Sequence, residues 1–329
     1  MKSRIVLFSV LSFLFFSCAT TVNVKLTRPA EVDLNGARTI AVLPIIPSDY
    51  DEQIAIEALK TQIEKGLLDS PYITLVSSEA VENAKRRGYL NPADVYLTGK
   101  MVYFDVVDKR SEEKKLVKAA TDDHPAEYEI KRYWKRQVQF KLKYQIVDSS
   151  SNKVLAADEY STSNTSSTYK SQKELPSVYS IIDYDIRKAS RQILQQLQPY
   201  TVTKSITLLE VRTKDKELKQ RMKAAAELAD NSKLNEALKE YDAIYKERGI
   251  VEAGYNVAVL LEAMGDLSGA EEMMLSVYEK NPDNRVLKGL DDIRYEIKQA
   301  KRLKIQIKEA GNSDDVDFDD YDDFEDLDF

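Results

Sequence analysis

Residues 128–147 read YEIKRYWKRQVQFKLKYQIV, and their alternation decides the fold. Ile130, Trp134, Val138, Phe140, Leu142, Tyr144 and Ile146 fall on one face of an extended chain. Lys131, Lys135, Gln139, Lys141, Lys143 and Gln145 fall on the other. Successive side chains of a strand point to opposite faces, so this stretch predicts one long strand with a buried face and a wet face. A second long β pattern runs from Val95 to Val107, and the charged, polar stretch from Asp108 to Glu127 connects the two. On the other side, Asp148 to Asn152 supplies turn residues and Val154 to Ser161 returns as a partner strand, followed by a Ser/Thr/Asn-rich loop to Ser171.

Toward the N-terminus, Thr39 to Ile46 is a compact apolar run, TIAVLPII, of the kind expected for a central strand buried on both faces. Ile56, Leu59, Ile63 and Leu67 recur at helical spacing and predict an amphipathic helix that covers it. Tyr72 to Val76 reads as the next strand, and Ser77 or Ser78 caps a helix that Gly88 stops. Strand, helix, strand, helix implies an α/β layer. Val178, Ile181, Ile182, Ile186, Ala189, Ile193 and Leu197 mark a further amphipathic helix before Pro199, and Ser205 to Val211 a short β-like run. Between Ala19 and Gly36 polar residues dominate and suit a tether, although Val22, Val24 and Leu26 alternate like an edge strand.

Composition sets the bounds. With 329 residues, 43% hydrophobic and 31% charged, the chain can bury a core and has room for two domains. The net charge of −7 is local: residues 314–329 hold ten Asp or Glu and no Lys or Arg, and without that run and the N-terminal Lys2 and Arg4 the body carries +1. Such a body has no net basic charge to drive nucleic-acid binding. Cys18 is the single cysteine, so if it is lipidated no thiol remains for disulfides or thiolate metal sites, and the single histidine, His124, leaves no His cluster. His124 reads as a solvated loop residue.

The chain opens with Lys2 and Arg4, an apolar run from Ile5 to Phe16, then Ser17, Cys18 and Ala19, a signal-peptide layout. A dozen apolar residues are too few to span a bilayer, which takes about 20. The ending Leu14, Phe15, Phe16, Ser17, Cys18 resembles the lipobox of the bacterial lipoproteins, with phenylalanines where smaller aliphatic residues are usual. That resemblance implies cleavage before Cys18 and diacylglycerol on its sulfur, an outer-membrane lipoprotein facing the periplasm. Each buried methylene would add about 0.8 kcal/mol to the hold.

Two further resemblances concern the body. TIAVLPI (39–45), DVYLTGKMVYF (94–104) and YQIVDSSSNKVLAADEY (144–160) resemble the periplasmic lipoprotein superfamily of the curli secretion channel, the penicillin-binding-protein activators and the amino-terminal domain of the Tol-system β-propeller protein. Its late turn lacks the glycine often seen there. Residues 251–284, VEAGYNVAVLLEAMGDLSGAEEMMLSVYEKNPDN, resemble a tetratricopeptide repeat in Tyr255, Ala258, Leu261, Gly265, Asp266, Ala270, Val277 and Pro282. Aligning Ala237 with Ala270 gives a first copy 33 residues earlier, with Gly249 where the proline is expected. Arg285 to Ile307 offers a helix to cap the stack.

No Gly-rich phosphate loop, G-x-S-x-G turn or helical His pair appears. Asp183 and Asp185 flank Tyr184, but alternate residues on a helix face different ways, so they read as a solvated face and not as an acid/base pair. Lys131 to Arg136, KRYWKR, mixes cations with Tyr133 and Trp134 and suits a headgroup, an anionic glycan or a partner's carboxylates, or simply an exposed hairpin end. In the tail, DDVDFDDYDDFEDLDF, like-charge repulsion predicts disorder, and the interleaved aromatics favour a partner-binding peptide.

The reading is therefore an α+β chain: signal peptide 1–17, tether 18–37, α/β domain with a long β-hairpin 38–211, tetratricopeptide-repeat module with capping helix 215–308, and acidic-aromatic tail 309–329. Its expected function is that of a non-enzymatic, lipid-anchored envelope scaffold with no cofactor beyond the lipid on Cys18. Tyr255, Asn256, Leu261, Phe318, Tyr321 and Phe324 are the candidate residues for binding envelope proteins. The alternative is a subunit of an oligomeric outer-membrane secretion channel; an enzyme ranks third, and homo-oligomerisation is left open.

Overall fold

The computed structural model describes residues 20–45, 47, 50–88, 92–121 and 123–309; Cys18, Phe318, Tyr321 and Phe324 lie outside the described residues. The fold is mixed α and β. In chain order the elements are β1 (Thr21–Arg28), β2 (Thr39–Val42), α1 (Tyr50–Leu68), β3 (Thr74–Val76), α2 (Ser78–Arg86), β4 (Val95–Lys118), β5 (Glu127–Asp148), β6 (Val154–Thr165), α3 (Val178–Leu197), β7 (Tyr200–Thr207), α4 (Lys216–Asp230), α5 (Leu234–Arg248), α6 (Val251–Ala263), α7 (Leu267–Lys280) and α8 (Asn284–Glu309). Two compact units result. One holds residues 27–200 and 300–309, the other 20–26 and 201–299.

In the first unit, five strands form a sheet in the order β3-β2-β4-β5-β6. β2 runs parallel to β3 and β4, and β4, β5 and β6 form an antiparallel meander. β2 is buried on both faces but is only four residues long, because Pro44 lacks the N–H that a central strand must donate. Ile40, Val42, Val95, Leu97, Val138, Phe140, Leu142 and Ile146 face a core closed by Ile56, Leu59, Ile63 and Leu67 of α1 and Ile182, Ile186, Ile193 and Leu197 of α3. On the opposite face, Val81 of α2 packs on Ala41, Ala93 and Tyr96. Ser77 caps α2 by accepting from the Ala80 N–H, and Gly88 ends it at φ +75°.

Two expectations need correction here. The buried face of residues 128–147 is buried only from Val138 onward, and Ile130 is 51% exposed. Before Val138 the hairpin has left the helices behind: Arg136 and Trp134 stay half-buried beside the loop before α3, and the alternation then runs on exposed at Ile130 and Tyr128. Of the expected tether 18–37, the described residues 20–37 are not slack. Residues 21–28 are β1, and the Glu31 and Val32 N–H groups donate to Gln195 and Gln196 carbonyls at the end of α3.

The second unit begins with a two-stranded sheet of β1 and β7, so the strand expected to end the α/β domain belongs largely here. Four helices follow as two hairpins, α4 on α5 and α6 on α7, with α5 against α6. Ala237 and Ala270, one in the second helix of each hairpin, are both completely buried. Gly249 ends α5 in the left-handed region at φ +63°, and Asp266 caps α7 by accepting from the Gly269 N–H. Gly254 lies where α6 meets α7 so closely that a methyl group would stand 2.5 Å from Val277. Val286, Leu290, Ile293 and Ile297 form the buried side of α8 in this unit, and its residues 300–309 belong to the other.

Candidate interaction surface

β4 and β5 remain paired from Val95↔Asp148 to Lys118↔Glu127, with irregularities at Val102 and Val117. Beyond Val106 and Val138 the pair becomes an arm, residues 107–118 and 127–137. On the face that continues the core, the arm carries Arg136 opposite Asp108, Trp134 opposite Arg110, Arg132 opposite Glu112, Ile130 opposite Lys114 and Tyr128 opposite Leu116. Leu116, Val117, Tyr128 and Ile130 are all at least half exposed.

The base of the arm is fixed. Arg136 donates from Nε to Asp108 Oδ1 at 2.7 Å, from Nη2 to Oδ2 at 2.9 Å and from Nη1 to the Pro176 carbonyl at 3.0 Å. Gln172 donates to the same carboxylate at 3.0 Å. These hydrogen bonds hold Asp108 below the usual carboxylate range, with the Arg136 bond the largest cause. Trp134 and Tyr169 exchange backbone hydrogen bonds, so the loop before α3 buttresses the same region.

The KRYWKR stretch lies on this arm. Lys131 pairs with Glu129, Arg132 with Glu112 and Arg136 with Asp108, while Tyr133 and Trp134 are half-buried. Its neighbour Lys114 lies 4.9 Å from the centre of the Tyr128 ring. His124 is an exposed residue of the hairpin end, its backbone bonded to Thr121 in both directions. Sequence reasoning missed Asp108, Gln172 and Pro176. The signal was present for Asp108, because pairing β4 with β5 in register sets it opposite Arg136.

The repeat-derived candidates separate. Leu261 and Tyr255 are half-buried, and burial pushes the Tyr255 hydroxyl up. Asn256 is completely buried: its Oδ1 accepts from the Leu209 N–H at 2.7 Å and its Nδ2 donates to the Leu209 carbonyl at 2.9 Å. Asn256, expected to touch a partner, is instead buried with its amide bonded to the Leu209 backbone. Nearby, Lys204 donates to Glu262 and, at 2.8 Å, to Glu296. Burial opposes the Lys204 charge, but these hydrogen bonds prevail and raise its pKa; burial raises that of Glu262.

Of the two helix acids, Asp185 differs from expectation. Asp183 pairs with Arg187 and accepts from Tyr179 at 2.9 Å on the surface, whereas Asp185 is buried. It accepts from the Tyr160 and Thr162 hydroxyls, each at 2.9 Å, and from the Asn164 amide. Asp185 is thus not on a solvated face; it ties α3 to β6. Among the described residues no cluster of His, Cys, Asp and Glu is arranged to hold a metal, and no helix is long and apolar enough to cross a membrane.

No family model matches the chain, and no curated protein matches it by sequence. Similar solved structures include a minor lipoprotein of Acinetobacter baumannii (10% identity, 49% of this chain and 91% of that one, TM-score 0.24). A homologue of the neuraminyllactose-binding hemagglutinin from Helicobacter pylori matches at 14% identity over 51% of this chain and 87% of that one, with a TM-score of 0.32. Lipoprotein GNA1162 of Neisseria meningitidis matches at 12% identity over 47% and 97%, with a TM-score of 0.27. Likeness at this level carries no argument about function.

Proposed function

We propose that this chain is a non-enzymatic, lipid-anchored envelope protein that holds other proteins together, with the arm, the helix hairpins and the acidic-aromatic tail as its binding parts. The observation that carries the reading is the arm. It continues well past the core, is locked at its base by Arg136 and Asp108, and presents charged and apolar side chains that are exposed to solvent beyond the cover of the helices. Rigid presentation of such a surface suits recognition by another molecule. The two hairpins, read as tetratricopeptide repeats capped by α8, add a second binding platform. The segment ending in Cys18 supplies the anchor, facing the periplasm from the outer membrane.

The length of β4 and β5 favours a second reading, a subunit of an outer-membrane secretion channel. Against it, both faces of the arm carry charge, and each Arg or Lys facing lipid would cost up to about 2–4 kcal/mol.

Two experiments test the proposal. Cys18→Ser should move the protein from the membrane fraction to the soluble one or leave an uncleaved precursor; unchanged membrane association at unchanged mass refutes the anchor. Replacing residues 111–126 with a short Gly/Ser turn should abolish recovery of co-purifying proteins from detergent extracts while the sheet core stays folded. Detergent-stable rings whose ion conductance vanishes on that replacement would instead establish the channel.

A further inference from the structure

We propose that the arm of one copy binds the acidic-aromatic run 314–329 of a second copy, so that the protein associates head to tail. The inference rests on reading the tail as a binding peptide and not on the lipid anchor. Three observations lead to it.

The first is charge. Residues 108–118 and 127–136 hold nine Lys or Arg against five Asp or Glu, whereas residues 314–329 hold ten acids and no base. Opposite fields of this kind bring surfaces together and set their register. The arm also offers Tyr128, Tyr133 and Trp134 among its cations, and the tail offers Phe318, Tyr321, Phe324 and Phe329 among its acids. The arm therefore supplies the cation and the tail the ring of a cation–aromatic contact, and each side supplies one ring of an aromatic pair.

The second is an open edge. β4 pairs with β2 only through Val95, Tyr96 and Leu97. From Thr98 to Lys118 its other edge has no strand partner among the described residues, leaving backbone donors and acceptors for an added strand.

The third is reach, which selects a second copy. The Glu309 carbonyl accepts from Arg38 Nη2 at 3.2 Å, and Arg38 and Thr39 donate to Asp94, the residue before β4. The tail therefore leaves from the end of the sheet opposite the arm. At about 3.3 Å per residue the first arm cation, Lys109, lies about 46 Å along β4 from Val95. A fully extended tail spends about 13 residues covering that distance, at up to about 3.6 Å each. Most of its acids would then be consumed as a taut strap before meeting a base of the arm, with Lys100 and Lys143 the exposed bases along the way. A second copy imposes no such limit, and since arm and tail are different surfaces the contact is heterologous and can repeat.

The test uses the detergent-extracted full chain. Sedimentation should show concentration-dependent assembly at about 50 mM salt that is lost at about 500 mM. A variant ending at Glu309 and a variant carrying Lys109→Glu, Arg110→Glu and Lys135→Glu should each be monomeric alone, yet form a 1:1 complex when mixed, because one keeps the arm and the other the tail. Labelled peptide 310–329 should bind the shortened variant, at least tenfold more weakly at the higher salt, and should dissolve wild-type assemblies. The proposal is overturned if the mixture stays apart, if either variant assembles like the wild type, or if the peptide does not bind saturably. Peptide binding to a wild-type chain that stays monomeric would overturn the second copy in favour of a strapped tail.

Discussion

Arg136 grips Asp108 with two parallel hydrogen bonds of 2.7 and 2.9 Å, where the β4–β5 pair leaves its helices. Both side chains are less than a quarter exposed. Asp108→Ala leaves a largely covered guanidinium without its partner and should cost about 1–3 kcal/mol. Amides of 105–110 and 134–137 should exchange faster with deuterium, while Val138–Ile146 core amides beyond them keep their protection. Unchanged exchange at the arm base would show that pairing with β6 suffices.

Asp185 joins α3 to β6 through three donors. Asp185→Ala strands the Tyr160 and Thr162 hydroxyls and should lower stability by about 1–3 kcal/mol, with Asp185→Asn less harmful because one acceptor remains. Denaturant unfolding midpoints of the three proteins check the order. Equal midpoints would mean the network is replaced by water at no cost.

Asp148 closes the β5–β6 turn by accepting from Ser150 Oγ, Ser151 N and Ser151 Oγ, each at 2.7 Å, and these bonds lower its pKa to about 2. The unfolded value is about 3.9, so the folded form binds the proton less tightly. Its contribution is present above about pH 4 and is lost as pH falls through about 2. Asp148→Asn should flatten the stability profile in that window, read from thermal melts across acid pH. In the same turn Asn152 adopts φ +58°, taking the role of the glycine usual there. Asn152→Val should cost about 1–2 kcal/mol and Asn152→Gly very little.

Asn256 satisfies both backbone groups of Leu209 from a fully buried position. Asn256→Ala leaves them unpaired and should destabilise the helical unit by about 1–3 kcal/mol. The Leu209 amide should change from slow to fast hydrogen exchange. Slow exchange in the variant would show a replacement acceptor.

Much of this was legible in the sequence. The meander, both amphipathic helices on the sheet and the helix hairpins follow from periodicity, which reports burial wherever something is there to bury against. Periodicity failed at Ile130 because alternation records which face a side chain takes and not whether a helix lies over that face. Asp185 and Asn256 were misjudged for a related reason: a polar side chain looks the same in sequence whether water or a distant backbone satisfies it, and Leu209 lies 47 residues from Asn256. Arg136 reads in sequence as one cation of KRYWKR, yet the acid that neutralises it is the residue opposite in the hairpin.

The pinning of Thr20 has a consequence for life at a surface. Its carbonyl accepts from the Leu208 N–H at 2.9 Å, so the folded body begins two residues after Cys18. If acyl chains on Cys18 hold the protein, its leash is at most about 7 Å long, against about 60 Å for a slack segment of 18 residues. A body on so short a leash cannot range far from the membrane. It rides against the headgroups, and partners confined to the same membrane would meet it at a high effective concentration, whereas soluble ones would have to come to the bilayer.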